Sequence, residues 1–155
     1  MADNMPWQDS RGYFMLPQRR EESAYYTYGT PASGRAQYAH PNMLSFLFKI
    51  EHLWGGVDNR RIGVGNISLA GGAAFPPHRG HRNGLHVDLR PLRTDGNETR
   101  VSYREAAYDR AATARLVQLM WQTGMVSKVY FNDSKIGRVA PMDGHDDHLH
   151  VEVTA

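Results

Sequence analysis

The chain sets segments with a clear hydrophobic period between long polar connections. Residues 1–40 are rich in Tyr, Gly, Pro, Gln and Arg, show little periodicity, and read as a largely irregular N-terminal arm. Within the arm, Tyr25-Tyr26-Thr27-Tyr28 suits a short strand, because aromatics and Thr fit a pleated surface. Pro41 is tolerated at a first helical position, and Leu44, Leu47, Phe48, Ile50 and Trp54 then recur at helical spacing. Gly55-Gly56 stops the pattern, so a helix is predicted over 41–54. Ile62, Val64 and Ile67 mark a strand-like stretch within 61–69, and Gly71-Gly72 and Pro76-Pro77 punctuate the loop after it. Leu85 to Leu89 alternates as a strand, and Thr94-Asp95-Gly96-Asn97 is a turn. Ser102 and Glu105 have capping-box spacing. A second helix is predicted over 109–122, with Ala112, Leu116, Leu119 and Met120 on one stripe and Gly124 as the stop. Strands over 126–131 and 148–153 enclose a polar loop, 132–147. These elements amount to one α+β domain spanning 1–155, a small antiparallel sheet flanked by two main helices.

Composition narrows the classes. The chain has 155 residues, enough for one domain with a core that needs no covalent staple. Cysteine is absent, which excludes disulfides, thiolate zinc sites, iron–sulfur clusters and cysteine nucleophiles. No apolar run approaches the roughly 20 residues of a membrane span, so none is expected. Net charge is only +2, without a run of like charges, which argues against a nucleic-acid partner. The polar, acidic start, Met1 to Pro6, lacks the basic and apolar regions of a signal peptide, so synthesis without an export signal is expected. Gly63-Val64-Gly65 lacks the third glycine and following helix of a dinucleotide site.

Histidine stands out. Six of the eight copies fall in two short segments, residues 78–86 and 145–150. On the strand 85–89, Leu85, Val87 and Leu89 would face the core and leave His86 and Asp88 on the opposite face. His81 lies in the loop before it, and Gly84 lets that loop turn back so that His81 and Asp88 converge. On the last strand, Leu149, Val151 and Val153 take the core face, and His148, His150 and Glu152 take the other. Taken singly, His78 and His86 read as solvated or hydrogen-bonded residues. The conjunction of two strands, each with ligand types on one face, predicts a metal site. A catalytic zinc needs three nitrogen or oxygen ligands and one open position. Two His and one Asp meet that need, with a further His left for proton work.

The two segments resemble the lysostaphin, D-Ala-D-Ala peptidase and hedgehog-type zinc fold, and more closely the penicillin-insensitive murein endopeptidases. The family's Gly-Gly-x-x-Phe-x-x-His-x-x-His-x-x-Gly stretch stands here as Gly71 to Gly84, with Phe75, His78 and His81 in register. Its closing His-x-x-His-x-His is matched by His145, His148 and His150. Tyr28-Gly29-Thr30 and His40-Pro41 fit loosely, so that the likeness covers most of residues 25–153. The resemblance implies that His81, Asp88 and His150 bind Zn2+ and that His148 acts beside it as the catalytic histidine. His78 and His145 match histidines that line the site. It also implies hydrolysis of a peptide bond in the peptidoglycan stem or cross-link, with zinc polarising the carbonyl and lowering the pKa of a water to about 7. Arg82 and Arg90 are candidates for holding stem-peptide carboxylates, against an ordinary reading as solvated charges.

The chain departs from the family in three respects. Family enzymes are longer and carry a signal peptide, and His86 stands where an acidic or small residue is expected. Without an export signal, the cell wall would be reached after phage lysis, as by an endolysin, from a phage tail, or by type VI secretion as an antibacterial effector with an immunity or delivery partner. The competing class is a non-catalytic zinc module that binds cell wall or a protein, for which His148 would be superfluous. The chain lacks the Lys/Arg cluster that a His-rich nuclease would need and the His-Glu-x-x-His of a zincin.

Overall fold

The computed structural model describes residues 7–18, 21–78 and 80–155. The start of the chain on which the export reading rests, residues 1–6, and Arg79 of the first histidine segment lie outside the described residues. The fold is α+β. Among the described residues seven strands, β1 Phe14–Met15, β2 Tyr25–Thr27, β3 Tyr38–Ala39, β4 Ile62–Val64, β5 His86–Leu89, β6 Val126–Tyr130 and β7 Leu149–Val153, accompany two α-helices, α1 Pro41–Gly55 and α2 Arg110–Gln122. β1 and β3 form an antiparallel pair, and the main sheet has the order β2-β4-β5-β7-β6. Four of its strands run antiparallel to their neighbours, but β2 pairs with β4 in parallel, so the sheet is mixed rather than wholly antiparallel.

Both helices begin on side-chain caps. The His40 ring accepts from the Asn42 amide ahead of Pro41, and Asp109 accepts from the Ala112 amide. α1 buries Met43, Phe46, Leu47, Ile50 and Trp54, and α2 buries Ala112, Thr113, Leu116, Val117 and Met120. Leu44, Phe48 and Leu119, which the spacing places on the stripes, are partly buried at their edges. The helices join Val87, Leu89, Leu149, Val151 and Val153 in one continuous core, each of these five being at most 4% exposed. The opposite face of β5 and β7 is thereby left to the polar residues. No helix among the described residues is long and apolar enough to cross a membrane.

The strand expected over 61–69 is only three residues long. Beyond Gly65 the chain changes partners: the Ile67 amide donates to the Ala36 carbonyl, and the Ser68 carbonyl accepts from the Tyr38 amide. Ser102 and Glu105 cap a turn rather than a helix, with the Glu105 carboxylate accepting from the Ser102 amide. The N-terminal arm is pinned down. Asp9, its side chain 1% exposed, accepts from the amides of Arg11, Tyr13 and Gly71, and Arg11 donates to Ser68, Leu69 and Arg82. These bonds tie the arm to the loop that carries His81.

Candidate metal centre

Antiparallel pairing of β5 with β7 sets Asp88 opposite His150 and His86 opposite Glu152. Directly opposed residues on one face lie within side-chain reach, so two carboxylates and two imidazoles meet there. The loop before β5 brings the third imidazole. Gly84 turns that loop with φ +74°, and a Cβ there would lie 2.6 Å from the His40 amide nitrogen. Only glycine fits both the backbone conformation and the close approach.

His81, 2% exposed, places Nδ1 2.9 Å from the Ile67 carbonyl oxygen. A carbonyl only accepts, so Nδ1 carries the proton and Nε2 keeps its lone pair. That Nε2 lies 3.2 Å from Asp88 Oδ1, and His150 Nδ1 lies 3.3 Å from the same oxygen. Neither contact is aligned as a hydrogen bond, and Oδ1 is buried without a hydrogen-bond partner among the described residues. Ligand atoms about 2.0–2.1 Å from a tetrahedral zinc are themselves about 3.3 Å apart. Two ring nitrogens thus approach one orphaned carboxylate oxygen at the separation of neighbouring ligand atoms on a divalent ion.

His78, His81 and Asp88 form a grouping that could hold a metal ion, one ligand atom from each lying within 4.8 Å of the others. Its ring packs 4.8 Å from that of His81, and burial holds its pKa below the usual histidine value. His148 lines the same cleft. Its Nδ1 lies 2.8 Å from Asp147 Oδ1, and Asp147 also accepts from the Arg100 guanidinium. A carboxylate at Nδ1 leaves Nε2 of a neutral His148 free to take a proton. Burial raises the Asp147 carboxyl, yet His148 and Arg100 bring it below the usual range.

The cleft over these groups has a volume of about 670 Å³ and is lined by His78, His81, His86, His145, His148 and His150, among others. A smaller pocket of about 150 Å³ adjoins it and is bounded by Tyr28, Asp88, Arg90, Arg100, Asp147 and His148. Arg90 lies in this second pocket, its guanidinium 3.8 Å above the Tyr28 ring. Arg82 lies outside both; its side chain is exposed and donates to the Gly72 carbonyl. His145 has Nδ1 3.0 Å from the Asp143 carbonyl, and burial lowers its pKa. His86 contacts Nε2 of His150 at 3.0 Å, and burial lowers its pKa as well.

Residues outside the histidine segments complete the site. Asn66 accepts from the Thr30 amide and approaches His78, and the Ile67 carbonyl orients His81. Tyr28, whose hydroxyl burial and the Asp88 charge keep protonated, rests on Gly65, where a Cβ would come within 2.6 Å of its ring. Of these only Tyr28 carries a sequence signal, the loose match of Tyr28-Gly29-Thr30; Asn66 and Ile67 carry none, and the partner role of Asp147 inside the second histidine segment follows from the structure.

In comparisons with known proteins, no family model and no curated protein matches this chain.

Proposed function

We propose that the chain is a zinc-dependent peptidoglycan hydrolase that cuts a peptide bond in the stem or cross-link. The observation that carries this reading is the approach of His81 Nε2 and His150 Nδ1 to the unpartnered Oδ1 of Asp88, beside a His148 oriented by Asp147. The metallopeptidase resemblance of the two histidine segments names the substrate, and with it the hedgehog and D-Ala-D-Ala peptidase-like fold.

In this reading His81, Asp88 and His150 hold the zinc, which supplies Lewis acidity for a scissile carbonyl and for a water. Asp147 keeps the Nδ1 proton of His148 in place, so that Nε2 takes a proton from the attacking water and returns it to the departing amine. Arg100 holds Asp147 against rotation. Tyr28 offers a hydroxyl donor at the edge of the smaller pocket, where negative charge on a carbonyl oxygen would be stabilised. Arg90 supplies a fixed cation there for a stem-peptide carboxylate.

The test is mass spectrometry of purified peptidoglycan after incubation with the zinc-loaded chain, with a chelator, and with H148A. Cross-linked fragments should be converted to smaller ones only by the untreated wild type, and the masses identify the bond. Zinc bound tightly without any wall fragment overturns the hydrolase reading and leaves a zinc module that binds.

A further inference from the structure

The face that carries Asp88 and His150 holds a second cluster one register step along the sheet, built around His86, the residue that departs from the family pattern. His86 lies opposite Glu152. Its Nδ1 is 3.0 Å from His150 Nε2 and 3.6 Å from Glu152 Oε1, and His150 Nε2 is 3.7 Å from the same oxygen. These three edges bracket the separation of about 3.3 Å between ligand atoms on a tetrahedral zinc. A carboxylate present only to orient the rings would approach one of them at about 2.8 Å. Glu152 instead stands beyond hydrogen-bond distance from both and near equal distance from each.

Space is kept open at the same point. A Cβ at Gly80 would lie 2.5 Å from His86 Nδ1 and 2.9 Å from its Cε1. That atom is the one facing His150 and Glu152. The side chains of His86 and Glu152 are 19% and 30% exposed and line the cleft, so an ion can reach them. Lys128, the cross-strand neighbour of Glu152, has its ammonium over the Tyr130 ring and makes no ion pair with Glu152 among the described residues.

We propose that His86, His150 and Glu152 form a second divalent-metal site that shares the His150 ring with the first. Nδ1 of His150 serves the ion held with Asp88, and Nε2 serves the ion held with His86 and Glu152. The second ion replaces the Nε2 proton, which leaves to solvent, so the ring becomes a bridge between two ions. Giving up that proton makes the second site the weaker one, filled only when zinc is plentiful. The inference goes beyond the hydrolase reading and does not depend on which reaction, if any, the cleft performs.

Zinc alone is titrated into the metal-free full chain in competition with a chromophoric chelator, and proton release is followed in weak buffer. The wild type should take up two ions per chain, the second weaker by about tenfold or more, with a proton released at the second step. H86A and the isosteric E152Q should each keep the tight ion and lose the weaker one, and circular-dichroism melts check that both fold. Saturation of the wild type at one ion overturns the proposal without recourse to any variant. So does a second ion that persists in both variants, and so does the binding of none. One ion together with wall cleavage sinks this proposal alone; two ions without cleavage sink the hydrolase reading alone.

Discussion

His150 Nδ1 lies 3.3 Å from Asp88 Oδ1 across the centre of the sheet, yet the two atoms make no hydrogen bond. The carboxylate is nearly buried, and His81 stands on its other side at 3.2 Å. Bringing an ionised carboxylate out of water without a hydrogen bond is unfavourable. The arrangement is explained when a cation completes it.

Zinc should therefore stabilise the chain, and Asp88 should be necessary for it. An ion at about 100 times its dissociation constant contributes about 2.7 kcal/mol, or about 5–10 °C in Tm for a chain of this size. D88N should abolish that rise while the metal-free proteins melt at similar temperatures. A D88N chain that zinc stabilises as much as wild type would remove Asp88 from the ligand set. Calorimetry with and without zinc decides.

Asp147 should affect turnover and leave metal content alone. It touches His148 and Arg100, and neither is in the ligand set. D147N replaces an acceptor-only carboxylate by an amide that can also donate, so the His148 proton is no longer held on Nδ1 and kcat on wall fragments should fall about 10–100-fold. Zinc per chain, read by elemental analysis, should be unchanged. Loss of zinc in D147N would make Asp147 part of the metal site instead.

Acid should destabilise the chain through Asp133. Its carboxylate is buried and accepts from the Tyr108 hydroxyl at 2.7 Å and from the Arg110 guanidinium at 2.8 Å. Burial raises its pKa, but these two donors bring it below the usual value. A depressed folded pKa means that the stabilisation is present above the unfolded value near 3.9 and is lost as pH falls through the folded one. D133N should cost about 2 kcal/mol at pH 7 and flatten the acid limb of a urea-melt pH series. An equally steep acid limb in D133N would assign acid sensitivity to other carboxylates.

Gly84 and Gly96 separate strain from crowding. Both have φ near +72 to +74°, but a Cβ at Gly84 meets the His40 backbone and one at Gly96 meets nothing within 4 Å. G96A should cost about 1 kcal/mol from backbone conformation alone. G84A should cost about 1–3 kcal/mol more, and it should weaken zinc binding because the displaced loop carries His81. Equal Tm losses and equal zinc affinities would show that the approach to His40 is dispensable.

Local patterns read well where burial has a period. The helix predicted over 41–54 forms as Pro41–Gly55, and that over 109–122 as Arg110–Gln122 behind the Asp109 cap. The two histidine strands form with Val87, Leu89, Leu149, Val151 and Val153 inward, because a strand packed on helices must alternate. The 61–69 stretch reads poorly because its pattern does not reveal that residues 67 and 68 leave β5 for the segment 36–38.

The sequence by itself determined the residue types, the alternation that turns Asp88, His148 and His150 away from the core, and the lack of thiols that excludes thiolate ligands. Register and tautomer lie beyond it. Only tertiary structure decides that Asp88 faces His150, that His86 faces Glu152, and that β2 joins β4 in parallel. The Ile67 carbonyl, contributed by a segment with no chemical signature, decides which nitrogen of His81 is free. Strand alternation is set by the nearest neighbours in the chain. Opposed pairs and hydrogen-bond partners are set by contacts between residues far apart in sequence, and a local pattern carries no record of them.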